Sequence, residues 1–152
     1  MAEVVTNTTQ LSTFVLLRDL ILTNATISGK FKERDFYEFE PNHKSRSFNG
    51  FPYFILSSPT TDTEFLTLDH TATDKEFVVE VTMVLDYVAR DNFKTYADAL
   101  VSVVEGGTST LEGSGYYNHT INQTSAPRPI ARDTKLVVEG TFAVAMTGFV
   151  NR

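Results

Sequence analysis

At 152 residues, with a formal net charge of −6 and no cysteine, the chain has the length of one domain and a composition that excludes several chemistries. The acidic balance argues against a general nucleic-acid binder, which must neutralise phosphates with Lys and Arg. Missing thiols exclude disulfides, thiolate metal sites and cysteine nucleophiles, and fit a chain that folds in a reducing cytoplasm.

The first ten residues hold no basic stretch followed by an apolar run, so no signal peptide is expected. Ser12 or Thr13 can cap a helix running to about Leu22, with Phe14, Leu17 and Ile21 on one face and Val15, Leu16, Leu20 and Leu22 widening it. This apolar run is interrupted by Arg18 and Asp19 and is too short to span a bilayer, which leaves a soluble chain as the expectation. Residues 29–50 read as a long loop or arm, in which Phe31, Phe36, Tyr37, Phe39 and Phe48 are interleaved with acids and bases. Phe51 to Leu56 follows as a strand with proline near its start. Residues 57–62 form a turn, Glu64 to Leu68 a short edge strand, and Asp69 to Asp74 a polar return.

From Lys75 to Val88 the pattern has period two. Phe77, Val79, Val81, Met83, Leu85 and Tyr87 share one face, with Glu80, Thr82 and Asp86 opposite. Asp91 is placed to cap the next helix, whose Phe93, Ala97, Leu100, Val101 and Val104 recur at helical spacing. Gly106 and Gly107 are expected to stop it, one of them in the left-handed conformation. Leu111 to Gly115 is glycine-rich, Tyr116 to Ile121 extended, and Pro127-Arg128-Pro129 a loop. In the closing segment Leu136, Val138, Phe142, Val144 and Met146 alternate with Val137, Glu139, Thr141, Ala143 and Ala145. Gly140 marks a bend, a bulge or a hairpin corner. The expected fold is α+β: a single domain over residues 1–152, with a mainly antiparallel twisted sheet and two helices on one face.

Candidate chemistry is sparse. His43, His70 and His119 are far apart and lack metal-site spacing. Asp62, Glu64, Asp69, Asp74 and Glu76 could hold a hard cation, yet their spacing is not that of an EF-hand, and a solvated acidic edge is the simpler reading. Gly106-Gly107 and Gly113-Ser114-Gly115 follow a helix, the wrong side for capturing a phosphate at a helix N-terminus. Asn7, Asn24, Asn118 and Asn122 head glycosylation-type triplets, which matter only in a secreted chain. The expectation is no enzyme, no cofactor and no metal. The aromatic stretch 31–51 is either an inter-subunit arm or packing over the chain's own sheet. On the first reading, Phe31, Phe36, Tyr37, Phe39, Phe48 and Phe51 are candidate interface residues.

The order of elements resembles that of the tail-terminator proteins of long-tailed bacteriophages. The features shared are an N-terminal helix, a long loop ending in Ser47-Phe-Asn-Gly-Phe-Pro-Tyr-Phe-Ile-Leu56, a 75–88 strand leading directly into a 91–104 helix, and an alternating closing segment 135–150. The resemblance implies a homo-hexameric ring, a structural virion protein assembled in the host cytoplasm. Such a ring caps the head-proximal end of the tail, with the tail tube protein on one side and the head–tail connector protein on the other. It implies no membrane partner and no sequence-specific nucleic-acid binding. Two alternatives stay open: a connector, adaptor or tube subunit, and a small-molecule-binding or enzymatic α+β domain.

Overall fold

The computed structural model describes residues 10–66, 72–132 and 135–151. The elements run α1 (Gln10–Leu22), α2 (Ala25–Ser28), β1 (Phe36–Tyr37), β2 (Tyr53–Leu56), β3 (Thr60–Leu66), β4 (Ala72–Asp86), α3 (Phe93–Glu105), α4 (Thr108–Glu112), β5 (Tyr116–Arg132) and β6 (Lys135–Asn151). Single 3-10 turns at Glu33–Asp35 and Tyr87–Asn92 precede β1 and α3. The sheet has six strands in the order β1-β2-β4-β6-β5, and β3 pairs with the first half of the same β4 edge that β2 uses further along. Only the two-residue β1–β2 pairing is parallel. This is the mixed, mostly antiparallel α+β domain that the alternation of the two long strands implies.

The period-two pattern of β4 survives into the structure. Phe77, Val79, Val81, Met83 and Leu85 are buried under the helices, and register carries the same face onto β6 at Met146, Val144, Phe142, Gly140 and Val138. From above, α3 contributes Phe93, Ala97, Leu100 and Val104, and α1 contributes Phe14, Leu17, Leu20 and Ile21, all buried. Burying a side chain of this size is worth about 1.5–3 kcal/mol, so this face carries most of the folding energy.

Several expectations need correction. Thr13 does not cap α1, which already begins at Gln10; Thr13 lies inside the helix and is buried. Asp91 does not cap α3. Asp86 instead accepts from the Val88 N–H at 3.3 Å and starts a 3-10 turn that feeds the helix. The strand therefore stops before Tyr87, and Val88 is 82% exposed.

Two glycines act by close approach rather than by bending the chain. Gly106 is right-handed, and a Cβ on Gly107 would lie 2.7 Å from Leu20 Cδ2, so Gly107 lets α1 and the end of α3 meet. Gly140 makes no bulge: it pairs in register with Met83, and a Cβ there would run into the Phe93 ring. Strand register shifts occur instead in β5, and they carry Pro127 and Pro129 within that edge strand rather than in a loop. An edge tolerates them because no neighbouring strand asks for their missing N–H.

The stretch 29–50 is not a projecting arm at its start. Phe31 lies within 4.6 Å of Phe54 and 5.3 Å of Tyr96, ring centre to ring centre, and Phe36 stacks on Phe54 at 5.0 Å. Phe31 and Phe36 are therefore core residues of the chain itself. Leu136, expected among the inward positions, is 45% exposed because it lies where β6 has just begun.

Candidate functional site

The helices cover one face of the sheet. On the other face, register aligns Val78, Glu80, Thr82 and Val84 of β4 with Ala145, Ala143, Thr141 and Glu139 of β6, and then with Thr120, Asn122, Ser125 and Arg128 of β5. Its centre holds small or polar side chains, and the Thr82 and Thr141 hydroxyls lie 3.4 Å apart across it. Among the described residues, a second small cluster closes it over at one end only: Tyr53, Val84 and Val137 are buried, with Tyr37, Phe48, Phe51, Ile55 and Ile130 packed around them.

Tyr53 organises that end. Its hydroxyl donates to Glu40 Oε1 at 3.0 Å and lies 2.9 Å from His43 Nε2. The single hydroxyl hydrogen goes to Glu40, so His43 supplies its Nε2–H to the phenol oxygen. Burial first, and the Glu40 carboxylate second, push the Tyr53 hydroxyl far above its ordinary range. It is a permanent donor rather than a nucleophile. The His43 ring stacks on Phe48 with centres 4.4 Å apart and meets Phe51 edge-on at 5.3 Å, which ties the 38–52 loop to the sheet.

Charged side chains ring this cluster. Arg132, at the end of β5, pairs with Glu139 and reaches Glu40 at 3.5 Å, while Arg128 lies 3.9 Å from Glu139. Burial alone pulls Arg132 down, but the bond to Glu139 and the Glu40 charge outweigh it and hold the guanidinium above its usual range. Its Nε is buried and has no hydrogen-bond partner among the described residues. Lys135 bonds Asp86 at 2.8 Å and sits 5.2 Å from the centre of the Phe51 ring. That bond lowers the Asp86 carboxyl below its ordinary value.

Two clefts flank Phe51. One, of about 360 Å³, is lined by cationic or imidazole groups (His43, Lys44, Arg132, Lys135) and by the Phe48 and Phe51 rings, with no carboxylate in its wall among the described residues. The other, of about 350 Å³, shares Phe51 and Lys135 and extends past Lys30 and Asp86 to Tyr96. Gly50, at φ 91°, lies between them, and a Cβ there would meet nothing within 4 Å.

The six aromatic candidates thus divide. Phe31 and Phe36 belong to the helix-side core, while Tyr37, Phe48 and Phe51 are half-buried in the second cluster. Phe39 alone stands out into solvent, 71% exposed. Among the described residues, no group of three or more His, Asp or Glu side chains converges as a metal site. His119 bonds the Glu105 carbonyl at 3.2 Å, and Asn24 caps α2 through the Thr26 and Ile27 N–H groups. His70 and Asp69 lie outside the described residues, as do the side chains of Asp62, Glu64 and Asp74. Sequence reading missed Tyr53, Glu40, Arg132, Glu139 and Lys135. The available signal was Arg128 and Arg132, four apart on a strand and hence on one face. Neither a protein-family model nor a curated protein matches this chain.

Proposed function

We propose that the chain is a structural assembly subunit that closes into a homo-oligomeric ring, in the manner of a phage tail terminator. On this reading its partners are copies of itself, the tail tube protein and the head–tail connector protein, and it works in the virion tail. The observation that carries the proposal is the one-sided cover of the sheet. Thr82, Thr141, Ala143 and Ala145 lie half-buried on the face away from the helices, whose outer strand, β5, is 17 residues long and takes no second partner among the described residues. Pro127, Pro129 and the register shifts blunt the β5 edge against strand addition, so on this reading the face rather than the edge is offered to other chains. Phe39 and Val88 add large apolar side chains left in solvent, and phenylalanine is among the residues enriched in interface cores. The terminator role rests on the order of elements, now seen as a helix, a loop, a long strand feeding a helix through a short turn, and a closing pair of strands.

The test is mass and shape together. Light scattering at tens of micromolar (an order-of-magnitude choice within ordinary assembly affinities) is expected to report several times the 17.0 kDa chain. Electron microscopy is expected to show closed rings. Open filaments would favour a tube subunit, and a strict monomer would overturn the assembly role.

A further inference from the structure

We infer that the cationic, aromatic cleft around Phe51 is the seat for the acidic strip of a second copy of this chain. The inference rests on the assembly reading above and names the contact through which it works. On the open face, β4 places Glu76 and Glu80, both even-numbered and so on one side of the strand. The cleft lies at the opposite end, beyond Asp86, about 20 Å from Glu80 and about 33 Å from Glu76 at the usual rise per residue. One chain therefore carries both halves of a complementary pair, too far apart to meet within the same molecule.

The cleft reverses the sign of an acidic protein. Among the described residues, Glu40, Asp86 and Glu139 are each committed to a cation beside it: Glu40 and Glu139 to Arg132, Asp86 to Lys135. Lys44 on the wall of one cleft and Lys30 on the wall of the other are exposed and enter no ion pair among the described residues. Repeated from copy to copy, the contact closes a ring; satisfied twice between two copies, it makes a two-fold dimer.

Two double variants test it: Lys30→Glu with Lys44→Glu, and Glu76→Lys with Glu80→Lys. Each is expected to keep the wild-type circular dichroism and to need at least about tenfold higher concentration to assemble, the scale of effect when a charged contact becomes repulsive. Mixed one to one, they are expected to recover the wild-type mass, because each reversed cleft then meets a reversed strip. An assembled wild type whose mass survives both reversals overturns the contact and leaves the assembly role standing. So does failure of the mixture to recover. A wild-type mass of two chains keeps the contact and overturns the ring. Variants at full mass, beside a wild type that binds benzoate with Lys44-dependent affinity, assign the cleft to a small anion and overturn the inference.

Discussion

The two faces of the sheet are built by different rules. Under the helices, aliphatic and aromatic side chains from α1 and α3 pack on β4 from Phe77 to Leu85 and on β6 from Val138 to Met146. On the opposite face the described residues close only one end, with Tyr53, Val84 and Val137 beneath a loop pinned by hydrogen bonds and ring contacts. The first face has enough buried apolar area to hold the fold together. On the second, the described residues form one small apolar cluster with a polar rim, and on the proposed reading the rest of the face is left to partners.

The largest effect expected from this contrast is at Phe31. Truncation to alanine empties a site between Phe54 and Tyr96 and should cost about 3–5 kcal/mol in urea unfolding. Phe39→Ala, eight residues on but in solvent, should change stability by less than about 0.5 kcal/mol. Comparable costs at both sites would erase the distinction between core and surface within the 29–50 segment.

A middle-sized effect belongs to Gly140. Alanine there pushes a methyl group into the Phe93 ring and should cost about 1–3 kcal/mol. Shrinking the ring with Phe93→Leu should relieve part of that cost in a double-mutant cycle, which measures the coupling between neighbours. Additive costs would mean that the glycine is there for its backbone and not for the ring.

The smallest effect is electrostatic and lies on the other face. Asp86 titrates below its ordinary 3.8, first because of the Lys135 bond. A depressed carboxyl contributes stability that is complete above its unfolded value and lost as pH falls through the folded one. Lys135→Met should therefore flatten the fall in stability between about pH 6 and pH 2, by less than about 1 kcal/mol because both partners are partly in water. An unchanged pH profile would detach the pair from the stability of that end.

How much of this was legible follows from the range of each interaction. β4 and α3 could be read residue by residue, since periodicity is a local property and Val81, Met83 and Leu100 lie where it put them. Phe31 and Phe36 were ambiguous because an aromatic in a charged loop has the same local pattern whether its partner is Phe54 or another chain. Gly140 and Gly107 were misread for the same reason: the rings and methyl groups they accommodate come from Phe93 and Leu20, remote in sequence. The Tyr53, Glu40 and Arg132 network was out of reach because three separate segments meet there, and only the β5–β6 register brings Arg128 opposite Glu139.

The most direct test of the division between a folding face and an assembling face is Thr141→Arg. Thr141 sits mid-face, paired with Thr82 on one side and Ser125 on the other, away from both clusters. The measurement is light-scattering mass alongside the urea midpoint of the same sample. The account predicts a midpoint within about 0.5 kcal/mol of wild type, as for surface substitutions, together with loss of the assembled species. An assembled mass equal to wild type, or an unfolded chain, would contradict it.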